Sequence, residues 1–496
     1  FFRRKRMKKN FKSIIAGVLS VAAILSMTAC GGSNDGGSNA ADATTTTTTA
    51  RTTLATDANL QEQVGNLAET AGDDDLEVTK KITWLAWWTM DETQAAAELF
   101  KTLYGVPEEG DASYGEDADN IFENVLVAYG DRYDKLATMI SGGDSPDIFP
   151  FEIINFPFSV YKGMFQPIDE YLDTNTEEWA DYRDVMDKFM WGGKNYCAIT
   201  AISTNDLLWY RRSVVEEAGL DDPYELYKAG NWTWDTFLQM GAGFQDSGEG
   251  KFLIDGYNPE NRIICSTGTP LIGLVDGKLQ SNLYDANVER AMEVVSKLCT
   301  ENYRYPRHEL NNWSTSYPAW VNGDTLFFAD GTWRFEEHWC KYRDRYGWDS
   351  DDIFFVPFPR DPNSDTYYAE MKQDAYMLCG GSDNVDGWKA WTKCVLAASK
   401  DENVVAAQRE KSKNDFGWTD EQLDFLYELT HGAVVPVFDF KNGIGQDIAS
   451  TTSADNCIEM LTKDPYVAGE ASYTQRRSEN EGQINQRVEE LNASVA

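Results

Sequence analysis

The side chains best able to do metal or covalent chemistry are eight cysteines and three histidines, and their spacing argues against both uses. Setting Cys30 aside, the cysteines are odd in number, widely spaced and without any Cys-x-x-Cys pair, so neither a disulfide framework nor a zinc site is expected. His308, His338 and His431 lie far apart and lack metal-ligand spacing. No nucleophile elbow or His-Glu-x-x-His motif occurs. We therefore expect buried thiols, no metal, no cofactor and no catalytic residue.

Cys30 is the exception, because its surroundings predict lipidation. Seven basic residues precede it, followed by an apolar run at 14–25 that is shorter than the roughly 20 residues of a membrane-spanning helix. Residues 1–29 therefore read as a secretory signal peptide. The segment ending in Cys30 resembles a bacterial lipobox, although Met27 stands where Leu is usual. We expect Cys30 to be lipidated and to anchor the chain at the extracellular face of the membrane. An ordinary secretory signal with a chance cysteine is the alternative.

The charge balance excludes several classes of partner. The chain has 44 Lys plus Arg against 81 Asp plus Glu, a net charge of −37, and all seven basic residues before Cys30 leave with the signal peptide. A strongly negative surface repels phosphate backbones and anionic lipid headgroups, so nucleic-acid binding is not expected. Neutral ligands such as sugars experience no such repulsion.

Residues 30–76 are predicted to be a disordered tether that follows the lipidated N-terminus. The stretch begins with Gly, Ser and Asn, continues with six threonines at 44–49, and lacks aromatic residues. So few apolar side chains cannot build a core, and an anchored protein needs a spacer from the membrane.

The remaining residues, 77–496, exceed what one hydrophobic core usually supports, so two domains are expected. Their pattern alternates strands and helices: a strand over 81–88, a helix over 132–141 closed by two glycines, and a helix capped by Asp285. This alternation predicts an α/β fold with a largely parallel sheet. Ligands bind such sheets beyond the carboxyl ends of strands.

The order of several motifs along this body is more informative than any one of them. They are the strand end at 84–88, the helix, glycine turn and Pro-Asp strand at 133–148, and the stretches at 163–172, 208–220, 232–237, 322–325, 330–333 and 355–359. In this order they resemble the family 1 extracellular solute-binding proteins, the sugar-binding lipoproteins of ABC importers. The sequence departs from the family at Arg211, where Asn is usual, and at Phe327 and Phe328, where Ala-Met is common.

The resemblance implies a two-lobed fold of the type II periplasmic-binding-protein kind, with hinged lobes and a ligand cleft between them. Lobe 1 would comprise 77–202 plus about 366–432, and lobe 2 would comprise 205–360 plus about 435–496. The crossings would lie near 201–204, 359–366 and 432–437. The resemblance further implies a monomer that captures an extracellular solute, here a carbohydrate or oligosaccharide, by hinge closure and delivers it to the membrane permease.

Aromatic residues are the first candidates for ligand contact, because a pyranose has apolar faces suited to stacking. The resemblance puts Trp333 first, since the matching tryptophan of the family commonly lines the cleft; core packing is the alternative. Trp87 and Trp88 end the first strand, where the carboxyl-end rule places ligands. Neighbouring residues on a strand point to opposite faces, so at least one of the two is expected in the core. Arg334, beside Trp333, could face the cleft or pair with an acid.

Polar candidates lie at two further places. Glu152 and Asn155 follow the Pro-Asp strand, where the family carries polar ligand contacts, and a solvated loop is the alternative. Asn205 and Asp206 lie at the first crossing and could bond sugar hydroxyls, or could simply form a turn or cap.

Two other classes of function remain open. A secreted carbohydrate-active hydrolase would need two carboxylates at a set separation, and among 81 acidic residues no sequence pair can be singled out. A surface adhesin or sensory binding protein without a transport role is the third possibility.

Overall fold

The computed structural model describes residues 46–72, 75–90, 94–105, 122–204, 207–311, 314–449, 456–462 and 472–495. The predicted signal peptide, Cys30, Asn205 and Asp206 lie outside the described residues.

Strands of three to seven residues form four sheets within these ranges. The strands are β1 (Ile82–Ala86), β2 (Phe122–Leu126), β3 (Ile148–Pro150), β4 (Ala198–Ser203), β5 (Leu207–Arg211), β6 (Phe252–Gly256), β7 (Ile272–Val275), β8 (Lys278–Ser281), β9 (Thr325–Asp330), β10 (Ile353–Pro357), β11 (Tyr368–Glu370), β12 (Lys372–Leu378) and β13 (Val435–Val437).

Helices account for most of the remaining described residues. They are α1 (Thr46–Ala71), α2 (Gln94–Tyr104), α3 (Arg132–Gly142), α4 (Phe158–Tyr161), α5 (Arg183–Met186), α6 (Arg212–Glu217), α7 (Pro223–Lys228), α8 (Trp234–Asp246), α9 (Pro259–Cys265), α10 (Ala286–Thr300), α11 (Arg307–Leu310), α12 (Tyr317–Val321), α13 (Cys340–Tyr346), α14 (Val385–Lys400), α15 (Glu402–Phe416), α16 (Asp420–Glu428), α17 (Gln446–Ala449), α18 (Cys457–Thr462) and α19 (Tyr473–Ala493).

The first sheet has the strand order β2–β1–β3–β12–β4 and is packed by α14. β1 runs parallel to β2 and β3, whereas β12 is antiparallel to both β3 and β4. The carboxyl ends of β1, β2 and β3 therefore lie at the same edge as the start of β12 and the end of β4. Because β1 is buried over four of its five residues, side chains reach solvent mainly beyond this edge.

The second sheet has the order β10–β5–β9–β6, with α7, α8 and α12 packed against it. β9 is antiparallel to β5 and parallel to β6, so one edge carries the start of β5 and the ends of β6, β9 and β10. β4 ends at Ser203 and β5 begins at Leu207, so only three residues join the two sheets here. This short connection places the end of β4 and the start of β5, and with them the two edges, next to each other. Two helix-flanked sheets joined in this way confirm the predicted α/β fold. The prediction of a largely parallel sheet is wrong, because β12 in the first sheet and β5 in the second each pair antiparallel with both of their neighbours, so both sheets are mixed.

The prediction of a disordered tether is wrong for residues 46–71, which form α1. Leu60 and Val64 are four residues apart on α1 and are buried, since α1 packs against α2 and α15. Lys411 of α15 also forms an ion pair with Asp57, with Nζ and Oδ1 2.5 Å apart. The segment needs no hydrophobic core of its own, because α1 packs onto the core that α2 and α15 already belong to.

The expected extent of lobe 1, about 366–432, is also wrong at its end. α15 ends at Phe416 and is capped by Gly417, which takes a left-handed conformation with φ of 74°, and the chain then packs on the second sheet. The ring of Trp418 lies 4.2 Å from that of Phe335, and Phe425 stacks 5.5 Å from Phe355 of β10. The chain therefore leaves the first lobe near Gly417, ahead of the predicted crossing at 432–437. That predicted crossing is instead β13, which pairs with β11.

The seven cysteines among the described residues are free thiols, and six of them are buried. Over the same residues, no group of three or more His, Cys, Asp or Glu side chains is arranged to hold a metal ion. None of the described helices combines the length and the apolar composition needed to cross a membrane.

Candidate functional site

The first edge carries the Trp87–Trp88 pair directly after β1. Trp88 is buried: its ring packs edge-on against Trp84 at 5.3 Å, and its carbonyl accepts from Trp84 Nε1 at 3.0 Å. Trp87 is half-buried and packs edge-on against Tyr129, with ring centres 5.0 Å apart. Trp88 thus belongs to the core, and Trp87 is the member of the pair with exposed ring surface.

Arg132, at the start of α3, holds Glu152 in place beside these rings. Its Nε lies 2.5 Å from Glu152 Oε2 and its Nη2 lies 2.9 Å from Oε1, while Tyr133 donates to Oε2 at 3.0 Å. The guanidinium carbon lies 3.6 Å above the ring centre of Tyr129 and 5.2 Å from that of Trp87. Burial and the Glu152 charge raise the pKa of Tyr133 well above its usual value, so its hydroxyl stays protonated.

The polar candidates of the first edge are therefore both enclosed. The Glu152 carboxylate is committed to Arg132 and Tyr133, and Asn155 is only 3% exposed in a short 3₁₀ turn, Ile153–Asn155. Their roles in ligand contact stay predictions.

The second edge carries Trp333 and Arg334 just beyond β9. Trp333 is half-buried, and the guanidinium carbon of Arg334 lies 3.8 Å above its ring centre. Arg334 is itself buried and pairs with Asp330, whose Oδ2 accepts from Nε at 2.6 Å. Of the two alternatives for Arg334, the structure thus shows pairing with an acid. One face of the Trp333 ring is thus covered by a cation, and the role of Trp333 in ligand contact stays a prediction.

Sequence reasoning missed two tyrosines at this edge. Tyr257 follows β6 and is 43% exposed, and its hydroxyl lies 3.2 Å from that of Tyr317. Arg334 lies 4.7 Å from the Tyr317 ring centre. Asp255, the second-last residue of β6, ties together the two segments that carry these tyrosines, since its Oδ2 accepts from the backbone N–H of Ser316 at 2.7 Å. The carboxyl-end rule that selected Trp87 would have found Tyr257 after β6.

His338 and Glu336 lie behind Trp333 in a π-helical turn, Phe335–Trp339. Burial, with the charge of Arg334 second, lowers the pKa of His338 to about 4, so its ring is neutral near pH 7 and can accept from Arg334. Burial raises the pKa of Glu336 to about 7, although Trp418 Nε1 donates to its carboxylate at 3.2 Å.

Each edge thus presents the same combination: exposed aromatic surface backed by an arginine whose charge is balanced by a carboxylate. We call the first set (Trp87, Tyr129, Arg132 and Glu152) the lobe 1 platform and the second (Tyr257, Tyr317, Asp330, Trp333 and Arg334) the lobe 2 platform. Such surfaces suit stacking of a neutral ligand with apolar faces.

Comparison with solved structures finds the same fold in sugar-binding proteins. An ABC substrate-binding protein from Listeria monocytogenes, solved with cycloalternan, is 16% identical with a TM-score of 0.57, covering 82% of this chain and 98% of its own. The GacH receptor of Streptomyces glaucescens, solved unliganded and with acarbose, is 15% identical with a TM-score of 0.57, covering 83% and 99%. A transporter-associated binding protein from B. animalis subsp. lactis, solved with β-1,6-galactobiose, is 12% identical with a TM-score of 0.54, covering 84% and 98%.

These likenesses confirm the predicted two-lobed fold of the periplasmic binding proteins. No curated protein matches the sequence significantly. The sequence family described as bacterial extracellular solute-binding protein matches residues 109–409, which is more than half of the chain. The chain therefore belongs to the bacterial extracellular solute-binding proteins.

Proposed function

We propose that this protein captures an extracellular carbohydrate or oligosaccharide in the cleft between its lobes and delivers it to an ABC permease. The observation that carries the proposal is the pair of platforms at the two neighbouring sheet edges, each with a half-buried tryptophan just beyond the carboxyl end of a strand. Stacking on both sides of a cleft would stabilise the closed state, because a ligand reaches both platforms only when the lobes approach each other.

A sugar suits these platforms better than a charged solute does. Pyranose rings combine apolar C–H faces with hydroxyl groups, which match aromatic rings and tyrosine hydroxyls. Arg132 and Arg334 are already paired with Glu152 and Asp330, so neither platform offers a free charge to an ionic ligand. The net charge of −37 further disfavours anions. The named relatives were solved with oligosaccharides or an acarbose ligand, which supports the same class.

The rest of the transport cycle follows from the family. A monomer anchored through lipidated Cys30 would hold the cleft at the outer face of the membrane, where closure gives the permease a loaded shape to recognise. In this role the protein itself performs no covalent chemistry.

A thermal-shift screen of purified protein against defined glycans tests the ligand class. Maltose, maltotetraose, β-1,6-galactobiose and acarbose provide the test set, with a dipeptide and citrate as non-sugar controls. A ligand at 100 times its Kd stabilises the folded state by about 2.7 kcal/mol. Stabilisation by a glycan supports the proposal, whereas stabilisation only by the dipeptide or citrate contradicts it.

A further inference from the structure

The crossing at Gly417, between α15 and α16, is held by the second lobe on both sides of the glycine. Arg343 of α13 donates from Nη1 to the carbonyl oxygens of Phe416 and Gly417 at 2.8 and 3.2 Å. Trp418 is buried, and its Nε1 donates to Glu336 at 3.2 Å. Gly417 itself has φ of 74°, and a Cβ added there would collide with the guanidinium of Arg343. Since the residues on either side are fixed and glycine is the least restricted residue, a rotation of one lobe against the other would be taken up at Gly417.

Ion pairs join α15 to α16 across this crossing. Arg409 Nη2 lies 3.1 Å from Asp420 Oδ1 and 2.7 Å from Asp424 Oδ1, and Lys413 Nζ lies 3.0 Å from Asp420 Oδ2. The two basic side chains are only 16% and 28% exposed, whereas the acids are 64% and 71% exposed. A single exposed ion pair contributes little, but here two bases share two acids, so the pairs form a network. We call these four side chains the α15–α16 clasp.

The clasp connects parts of the chain that belong to different lobes. α15 packs against α1 and α14, and α14 packs against β4 and β12 of the first sheet. α16 is fixed to the second sheet, since Gln422 Nε2 donates to the Ile353 carbonyl at 2.7 Å and the Phe425 ring lies 5.5 Å from that of Phe355. A rotation of the lobes therefore changes the distances between the charged groups of the clasp.

The clasp also lies on the side of the second lobe away from the platforms. Glu421, the residue after Asp420, accepts from Arg212 Nη1 at 3.1 Å. Arg212 directly follows the end of β5, at the edge of the second sheet opposite the edge that carries the lobe 2 platform. Rotation about Gly417 that brings the two platforms together should therefore move α15 and α16 apart on this opposite side.

We propose that the α15–α16 clasp restrains closure of the lobes, because its ion pairs must yield before the two platforms can approach each other. Part of the binding energy of a ligand would then be used to separate α15 from α16, so the clasp sets the affinity without touching the ligand. Its charges are exposed enough to be screened, so salt should weaken it. The inference concerns the movement of the lobes on which the proposed function relies, whichever solute binds.

The test uses charge reversals in the full-length mature protein. Arg409→Asp and Asp424→Arg each replace the attraction between these two side chains by repulsion, and the double variant exchanges the charges and restores the attraction. Lys80→Asp is the matched control, because Lys80 Nζ pairs with Asp383 Oδ2 at 2.8 Å and the variant undergoes the same change of charge as Arg409→Asp. Lys80 precedes β1 and Asp383 precedes α14, so that pair lies within the first lobe.

The first measurement is single-molecule energy transfer between the lobes without any ligand. Dyes are attached through non-natural residues at the exposed positions of Gln61 on α1 and Glu225 on α7. We expect each single reversal to shift the transfer efficiency, the double variant to return it to the wild-type value, and Lys80→Asp to leave it unchanged. Raising the salt to 0.5 M, roughly a 4 Å screening length, should shift wild type in the same direction as the single reversals. Single reversals that behave as wild type, or a double variant that fails to restore the wild-type value, would show that the clasp does not set the orientation of the lobes.

The second measurement is calorimetric titration with maltotetraose and β-1,6-galactobiose. For whichever glycan wild type binds, we expect each single reversal to bind about threefold to tenfold more tightly, because closure no longer has to break the clasp. The double variant and Lys80→Asp should bind as wild type does. Unchanged or weaker binding by both single reversals would contradict a restraint on closure. If wild type binds no glycan of the screen, the carbohydrate function is wrong, and the energy-transfer comparison still decides whether the clasp holds the lobes.

Discussion

Trp333 and Trp348 have similar local environments at opposite ends of the second sheet. Both are half-buried, and each is covered on one face by an arginine, Arg334 at 3.8 Å and Arg211 at 3.7 Å. Trp333 follows β9 at the edge that faces the first sheet, whereas Arg211 ends β5 at the far edge. A comparison of the two can therefore separate ligand contact from packing.

We expect Trp333→Ala to weaken glycan binding by about 1–3 kcal/mol, because a stacking surface is lost. Trp348→Ala removes an equivalent ring with a similar cation contact, so it should affect the melting temperature about as much while leaving affinity unchanged. Calorimetric titration and thermal unfolding of both variants give the answer. If Trp333→Ala loses stability but binds as tightly as wild type when folded, Trp333 is a packing residue.

Glu336 makes stability depend on pH. Its pKa in the folded state is about 7, above the ordinary 4.5, because the carboxyl is buried. As the pH rises from 4.5 to 7, the unfolded chain releases this proton while the folded protein retains it, so ionisation favours unfolding. The contribution of Glu336 is thus fully present below pH 4.5 and is lost by about pH 7, with a magnitude near 3 kcal/mol.

Glu336→Gln should abolish this dependence, because glutamine has no proton to release and can still accept from Trp418. Denaturant unfolding of wild type and variant at pH 4, 5.5 and 7.5 measures it. We expect the variant to gain stability relative to wild type as pH rises. A difference that stays constant over this range would show that Glu336 ionises normally.

At the scale of elements, the sequence predicted well the ends and caps of helices, which depend only on residues nearby in the chain. α3 spans Arg132–Gly142 and is capped by Gly143 with φ of 74°, as the glycine pair predicted. Asp285 caps α10 by accepting from the backbone of Asn287, and Thr233 caps α8 by accepting from Thr236. Each of these features is decided within a few residues, which is why the sequence reveals it.

Features that depend on distant contacts were not predictable in this way. α1 is stabilised by α15, more than 300 residues away, so its composition alone suggested a tether. The partner of Glu152 is Arg132, and the exposed Tyr257 and the half-buried Tyr317 meet only in the folded second lobe. The two platforms are therefore assembled by the fold. Trp87 was predicted from its position after a strand, whereas Trp333 was predicted from the family resemblance.

Leu60 tests whether α1 is an integral part of the first lobe. It is 5% exposed, so Leu60→Ala should lower the free energy of unfolding by about 2–4 kcal/mol, as expected for a truncated core leucine. Gln61→Ala is the control, because Gln61 is exposed on the same helix and should change stability by less than about 0.5 kcal/mol. Denaturant titration measures both. Equal stability of the two variants would show that α1 does not stabilise the first lobe and that residues 46–71 act as a tether.

For the molecule as a whole, the net charge is strongly negative, whereas the arginine charges of the two platforms are balanced by carboxylates. The chain carries a net charge of −37, yet the arginines of both platforms are paired with carboxylates. A neutral ligand can enter such a cleft without electrostatic cost, while the acidic surface keeps the protein soluble and away from anionic headgroups. Attachment to the membrane would then depend on the lipid at Cys30.

Cys30→Ala tests that attachment. Without the thiol there is no site for the lipid, so the variant should appear in the medium or in the soluble fraction, because lipid chains supply the affinity for the bilayer. Cys299→Ala is the control, since Cys299 is a half-buried free thiol of α10, far along the chain from the signal, and that variant should stay with the membrane. Fractionation of cells after a high-salt wash, followed by immunoblotting, makes the comparison. Retention of Cys30→Ala in the washed membranes would mean that the chain is held there by something other than a lipid on this cysteine.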